Sequence, residues 1–149
     1  MKVSVKSFAV GIVVAVLSIH ATAAAEIVVE GLWIRETAGA GKITGGFGTI
    51  RNTGNTADDL ISASTPAAAM TQIHSASHEG GVMRMDQVQH LDIPANGVVS
   101  LIPGAGHHLM LMGVSRPLKA GDQVEVTLTF RNAGPVRAMA VVRPLGTQK

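Results

Sequence analysis

Residues 123–130, Gln-Val-Glu-Val-Thr-Leu-Thr-Phe, show the most regular pattern in this chain. Every second residue is apolar and every residue between is polar, so an extended segment would have one apolar and one polar face. Turn-forming residues flank the segment at 120–122 and 132–135. Residues 123–130 therefore predict a β-strand that packs one face on a core, with these side chains inward: Val124, Val126, Leu128 and Phe130.

The remainder of the chain repeats this kind of segment. Short apolar segments separated by Gly, Pro, Asn and Asp lie at 27–34, 45–51, 59–64, 70–75, 82–91, 98–102, 106–113 and 136–142. No amphipathic helix, internal repeat or linker interrupts them. About eight short strands with a turn every 8 to 12 residues or so are typical of a β-sandwich. The predicted fold class is therefore all-β, as two packed sheets.

The first 25 residues have the composition of a secretory signal peptide. Lys2 and Lys6 supply a positive start, residues 8–19 are apolar, and residues 21–25 offer a small-residue cleavage site. The apolar run is shorter than the roughly 20 residues that a membrane-spanning helix needs. We therefore expect residues 1–25 to be removed on export. Residues 26–149 would remain as one domain without a membrane span.

Charge and cysteine content exclude several functions. The chain has 12 Lys and Arg against 10 Asp and Glu, and loss of Lys2 and Lys6 leaves ten of each sign. No basic cluster remains that would indicate nucleic-acid binding. The chain contains no cysteine, which excludes a disulfide, a thiolate nucleophile, lipid attachment to cysteine and a blue-copper site.

Residues 106–113, Gly-His-His-Leu-Met-Leu-Met-Gly, contain an unusual set of side chains for a strand. If the two leucines face the core, three potential metal ligands face solvent: His108, Met110 and Met112. An imidazole beside two thioethers suits a soft metal ion. The alternative is a strand buried on both faces, in which His108 is an ordinary core histidine. This segment alone leaves both interpretations open.

A second group of soft ligands flanks the turn at residues 79–81. A hairpin there would bring two strands together and let these side chains converge: His74, His78, Met83 and Met85. Neutral thioether sulfur favours Cu(I) over Zn²⁺, Mg²⁺ or Ca²⁺. A set without thiolate could also release its ion to a stronger site. No serine-centred elbow motif supports a hydrolase.

From Val28 onward the chain resembles the periplasmic copper chaperones of the PCu(A)C family. The resemblance rests on these motifs: Leu-Trp-Ile-Arg (32–35), Phe-Gly-Thr-Ile-Arg-Asn-Thr-Gly (47–54), Ile-His (73–74), Gly-Gly-Val-Met-Arg-Met (80–85), His-Leu-Met-Leu-Met-Gly (108–113) and Arg-Pro-Leu (116–118). They are spread over nearly all of residues 26–149. The resemblance implies a cupredoxin-like Greek-key β-sandwich.

The family's ligand pattern is His, ten residues, Met, about twenty-one residues, then His-x-Met. Carried over, it selects His74, Met85, His108 and Met110, although twenty-two residues separate Met85 from His108. A strict count would select His107, which lies on the opposite face of a strand from Met110. We therefore choose His108, unless a bulge near Gly106 turns His107 inward. The His/Met-rich tail of some family members is missing from residues 143–149.

The resemblance implies a periplasmic protein that is not an enzyme and binds one Cu(I) per monomer. It would deliver copper toward the binuclear copper centre of a haem-copper oxidase, through an oxidase subunit or an assembly factor. The sequence leaves copper sequestration open as an alternative to delivery. A copper-dependent redox enzyme is disfavoured, because two thioethers favour Cu(I) over Cu(II). A purely structural or adhesive sandwich would leave the clustered ligands unexplained.

Overall fold

The structure, a computed structural model, describes residues 26–148; the predicted signal peptide and Lys149 lie outside the described residues. Ten strands make up this part of the chain: β1 Ile27–Arg35, β2 Thr44–Asn52, β3 Asp58–Ser64, β4 Ala68–Glu79, β5 Val82–Gln87, β6 Leu91–Ile93, β7 Val98–Leu101, β8 Gly106–Val114, β9 Gln123–Phe130 and β10 Gly134–Arg143. Between residues 26 and 148 there is no α-helix, so none that could span a bilayer. The all-β prediction is confirmed.

The ten strands form one continuous hydrogen-bonded sheet, here called the ladder, whose two ends pack on a shared core. Its order is β5-β4-β8-β7-β2-β1-β10-β9-β3-β6. Strand β2 connects two parts of the ladder, because residues 44–46 pair with β8 while residues 48–51 pair with β7. The core cluster draws on both ends of this order: Leu60, Val126 and Leu128 from β3 and β9, and Ile73, Leu109 and Leu111 from β4 and β8. The two packed sheets predicted from the sequence are therefore the two layers of one ladder, which are connected by hydrogen bonds.

Strand β9 has the alternation that its sequence predicts. Its four apolar side chains are at most 4% exposed, and they pack among the core residues of the opposite layer. The strand pairs with β10 on one side and with β3 on the other. This double pairing makes β9 the centre of the layer that faces β4 and β8.

The nine segments named above become ten strands, more than the predicted total of about eight, because the apolar run 82–91 contributes to two strands. β5 pairs only with β4 at one edge of the ladder, and β6 pairs with β3 at the other edge. The side chains of β5 are all exposed, whereas Leu91 and Ile93 of β6 are buried in the core. A hydrogen bond from Val88 N–H to the Ile73 carbonyl (2.9 Å) marks where the chain leaves β4. An apolar run alone cannot show such a crossing.

Candidate metal centre

Strands β4 and β8 place two predicted ligands directly opposite each other. The antiparallel register pairs His74 with His108 and continues without a bulge from Ala76–Gly106 to Met70–Met112. Opposed residues of an antiparallel pair share a face of the sheet. The two imidazole rings accordingly lie with their centroids 5.8 Å apart and their planes at 48°.

This ring separation suits two imidazoles that share one metal ion. A metal–nitrogen distance of about 2.0 Å puts each ring centroid about 3 Å from the ion, so two rings bound at a wide angle would have centroids about 5 to 6 Å apart. The observed 5.8 Å falls within that range. The backbone register alone therefore brings two nitrogen ligands to a workable distance.

The same register separates His107 from this pair. His107 lies opposite Ser75 in β4 and Leu101 in β7, on the other face of β8 from His108. A bulge near Gly106 would have been needed to turn His107 toward Met110, and the register contains none in this region. The geometry thus agrees with choosing His108 over His107, and the ligand assignment itself stays a prediction.

Met110 lies on the same face of β8 as His108, two residues further along the strand. It is opposite Gln72 in β4 and Gly45 in β2. Gly45 has no side chain, and a Cβ added there would come within 2.5 Å of Cζ of Phe47. The absence of that Cβ lets the Phe47 ring lie over β2, where its centroid is 6.2 Å from the His108 ring. Gly45 therefore makes room for the aromatic wall of the site.

Met85 reaches the pair from the edge strand β5. Gly80 and Gly81 form the two-residue hairpin turn with positive φ angles of 58° and 80°, a geometry that favours glycine. The turn sets Met85 opposite Ala76 and leaves His74 opposite Gln87. Met85 and His74 are then diagonal neighbours, about 7 to 8 Å apart, within reach of long side chains. The register therefore agrees with the predicted approach of Met85 to His74 across this hairpin.

One cleft of 390 Å³ collects most of these side chains. Its soft ligands are Met83, Met85, His108 and Met110, and Arg35 and Phe47 also line it. His74 stands beside His108, not on the cleft wall. A neighbouring cleft of 480 Å³ shares Arg35, Gly45 and Met110, but its remaining lining offers no thioether or imidazole. Three of the four predicted ligands therefore line the smaller cleft, and the fourth, His74, lies beside His108.

The other His and Met candidates lie around this group. His78 is exposed and opposite Met83 at the hairpin end, and Met112 is opposite Met70 at the far end. Met83 is the one that also lines the cleft with the predicted ligands. It is therefore the first alternative if a predicted thioether does not bind.

His108 differs from the prediction in one respect, because it is buried rather than exposed to solvent. Only 5% of the residue is accessible, since the rings of His74 and Phe47 lie against it. Yet Nδ1 of His108 has no hydrogen-bond partner, and the same is true of the buried Nδ1 atoms of His74 and His107. Buried polar atoms are usually paired. What distinguishes the pair His74–His108 is that the two rings face each other across β4 and β8, so one metal ion could be bound by both.

The surroundings of His108 favour its neutral form. Burial lowers the pKa of this imidazole from the ordinary value of 6.5, and the nearby charges of His74, His107 and Arg35 lower it further. Only the neutral ring can bind a metal. Burial therefore keeps His108 neutral, and able to bind a metal, at a lower pH than an exposed histidine.

Several residues of the site were missed by sequence reasoning. Gln72 could have been found, because it precedes His74 by two positions and so shares its face of β4. Phe47 and Arg35 could not, because they reach the site through the pairing of β2 with β8, which joins distant parts of the chain, and β1 follows by pairing with β2. The Arg35 guanidinium lies over the Phe47 ring, 5.2 Å from its centroid.

A different group of possible ligands lies at the β3–β6 edge. Atoms of Asp59, His90 and Asp92 come within 4.8 Å of one another, on a largely exposed surface. Asp59 already accepts a hydrogen bond from Arg131 Nε at 2.7 Å, and His90 lies 3.4 Å from Asp92. These groups form a surface ion-pair network of hard ligands, which differs in chemistry from the cleft.

The register predicts different effects on Cu(I) binding when the two adjacent histidines are replaced. We expect His108→Ala to abolish tight Cu(I) binding and His107→Ala to leave it nearly unchanged, because only His108 faces His74 and Met110. Competition with a colorimetric Cu(I) chelator measures both affinities, and circular dichroism checks that each variant is folded. Equal losses in the two variants, or a larger loss in His107→Ala, would reject the choice of His108.

Together these features describe an all-β sandwich with a pair of facing imidazoles, one of which lines a cleft with three thioethers and no thiolate. Comparison with known sequences agrees with it. The family described as "Putative lipoprotein LpqE-like" matches residues 27–142, and the chain belongs to this family, which is of the PCuAC type. The protein "Putative lipoprotein Lxx21020" of Leifsonia xyli subsp. xyli is 37% identical over 99 residues, 66% of this chain and 58% of that protein. The match therefore spans little more than half of the relative's length.

Solved structures give the same fold. The copper-bound PCuAC domain from PmoF2 has a TM-score of 0.68 at 24% identity, covering 82% of this chain and 96% of that domain. The Cu(I) form of DR1885 from Deinococcus radiodurans has a TM-score of 0.61 at 30% identity, covering 86% of this chain and 85% of that one. The resemblance to PCuAC proteins and the predicted cupredoxin-like fold are confirmed.

Proposed function

We propose that this protein is a copper chaperone that binds one Cu(I) per monomer through His74, Met85, His108 and Met110. The observation that carries the proposal is the facing pair His74–His108. Each ring holds a buried Nδ1 without a partner, and Met85 and Met110 line the cleft beside them. Two neutral nitrogens and two neutral sulfurs make a four-coordinate set with soft character.

The charge of the cleft favours the monovalent ion. None of the proposed ligands carries a negative charge, and Arg35 contributes a fixed positive charge to the cleft wall. Coulomb repulsion grows with the charge of the ion, so Arg35 disfavours Cu(II) about twice as strongly as Cu(I). The thioethers act in the same direction, because soft sulfur favours Cu(I). Such a site stores and passes on Cu(I), and it offers little support for a redox enzyme that must hold both oxidation states.

The exposure of Met85 supports transfer of the ion. This residue is 45% exposed and lies on β5, an edge strand that pairs only with β4. A recipient could therefore approach β5 and replace the Met85 sulfur first, while His108 still holds the ion from the buried side. Exchange of one ligand at a time avoids release of a free ion.

Relatives support an exported role that involves copper binding. The solved relatives include copper-bound PCuAC domains, and the sequence relatives are described as lipoproteins. With the predicted signal peptide, this favours a periplasmic protein, although the chain has no cysteine that could carry a lipid. The recipient we propose is the binuclear copper centre of a haem-copper oxidase, reached through an oxidase subunit or an assembly factor. Sequestration of copper is the alternative function of the same site.

Copper stoichiometry tests the proposal first. The purified protein without residues 1–25 should bind one Cu(I) tightly and Cu(II) only weakly, as measured by native mass spectrometry and chelator competition. Two tight copper ions per monomer, no tight copper, or equal affinity for Cu(II) would contradict it. Incubation of the loaded protein with a copper-free oxidase copper domain then separates the two functions. Transfer supports delivery, and retention of the ion supports sequestration.

A further inference from the structure

The side-chain amide of Gln72 connects two other residues of strand β4. Its Nε2 lies 3.3 Å from Sδ of Met70, and its Oε1 lies 2.9 Å from Nε2 of His74. The three residues follow one another at every second position, so they share one face of the strand. Gln72 is also opposite Met110 in β8. The amide therefore lies within the candidate metal centre, although it is not one of its predicted ligands.

The chemistry of Met70 fixes which end of the amide faces which neighbour. A thioether sulfur has lone pairs and no proton, so it accepts hydrogen bonds and cannot donate them. The amide group facing Met70 must then be the NH₂ donor, which leaves the carbonyl oxygen facing His74. An amide oxygen only accepts. Nε2 of His74 must therefore carry the ring proton.

The opposite amide orientation would leave several groups unsatisfied. The carbonyl oxygen would face the Met70 sulfur, so two acceptors would be in contact. The NH₂ group would face Nε2 of His74, which would move the ring proton to Nδ1. That atom is buried and has no acceptor nearby. Nδ1 lacks a hydrogen-bond partner in either tautomer, so the contact with the Met70 sulfur decides between the two orientations. A thioether only accepts hydrogen bonds, which favours the orientation with the NH₂ group at Met70 and Nε2–H on His74.

We propose that Gln72, oriented by Met70, is a positioning residue that holds His74 in the Nε2–H tautomer and so assigns Nδ1 as the atom that binds Cu(I). Nδ1 of His74 then presents a free lone pair in a buried position beside the His108 ring. Metal-binding histidines commonly donate their other ring N–H to a neighbouring oxygen, which fixes the tautomer and raises ligand basicity. The copper half of this inference rests on the proposed function, whereas the tautomer half can be tested without metal.

Nitrogen NMR tests both halves on one sample. In ¹⁵N-histidine-labelled protein at about pH 8, where a free imidazole is neutral, His74 should show a protonated Nε2 and an unprotonated Nδ1. Adding Cu(I), or Ag(I) as a diamagnetic probe, should shift the Nδ1 resonance and leave Nε2 protonated. A protonated Nδ1 in the apo protein, or a metal-induced shift at Nε2, would overturn the proposal. If no metal binds but the tautomer is as stated, the proposed function fails and the role of Gln72 in setting the tautomer stands.

Substitutions of Gln72 distinguish a role in positioning His74 from a purely structural role. Gln72→Leu should turn His74 into a mixture of tautomers and weaken Cu(I) binding by about 10- to 100-fold, as loss of a ligand-orienting partner typically does. Gln72→Glu retains an acceptor for Nε2–H and should restore both the tautomer and most of the affinity. Gln87→Leu is the matched control, because Gln87 is directly opposite His74 on β5. Equal effects of Gln72→Leu and Gln87→Leu, or failure of Gln72→Glu to restore the tautomer, would overturn the proposal.

Discussion

Replacing Met85 with leucine is expected to weaken Cu(I) binding by more than about 100-fold, because loss of a residue that merely orients a ligand already costs about 10- to 100-fold. The exchange removes the thioether sulfur at nearly constant volume. Since Met85 is 45% exposed on an edge strand, the free energy of unfolding of the apo protein should change by less than about 1.5 kcal/mol. Chelator competition measures the affinity, and chemical denaturation measures the stability.

Met83→Leu provides a matched control for this change. Met83 is 44% exposed, lies two residues before Met85 on the same face of β5, and lines the same cleft. It is opposite His78 and one pair further from His74. We expect Cu(I) affinity to change much less in Met83→Leu than in Met85→Leu. The reverse order would move the ligand assignment to Met83 and count against the set carried over from the family.

Cu(I) affinity is expected to hold near neutral pH and to weaken as the pH falls below about 6, because an imidazole binds metal only when neutral and a free imidazole titrates near 6.5. Thioethers do not titrate, so the two histidines set the acid limit. With two imidazole ligands, the slope of the logarithm of Cu(I) affinity against pH should correspond to about two protons released per copper ion bound, once both rings are charged in the apo protein. Because burial and neighbouring charges lower the pKa of His108, its proton should contribute only at the acid end of the range.

The pH measurement uses a chelator whose own pH dependence is known, over about pH 8 to 5. An affinity that is constant over this range would contradict a site with two imidazoles. Loss of affinity only near pH 4 would indicate carboxylate ligands instead.

The fold class could be predicted from the sequence because the information is local. The alternation in residues 123–130 becomes β9 with the expected side chains buried. The same period of two places His108 and Met110 on one face of β8 without any knowledge of the partner strands. These predictions depend only on the pleat of a single strand.

The rest of the site depends on which strands become neighbours. The pairing of His74 with His108 and of Gly45 with Met110 joins residues more than 30 and 60 positions apart. The burial of His108 under the Phe47 ring follows from that pairing and not from its own segment. For the same reason the sequence could not show that residues 82–91 divide between opposite edges of the ladder.

X-ray absorption spectroscopy of the Cu(I)-loaded protein tests the proposed ligand set itself, because it identifies and counts the atoms bound to the ion. We expect two nitrogen scatterers from imidazole and two sulfur scatterers from thioether, with one sulfur lost in Met85→Leu and none lost in Met83→Leu. A spectrum with only nitrogen and oxygen neighbours, or one unchanged by Met85→Leu, would contradict the site formed by His74, Met85, His108 and Met110.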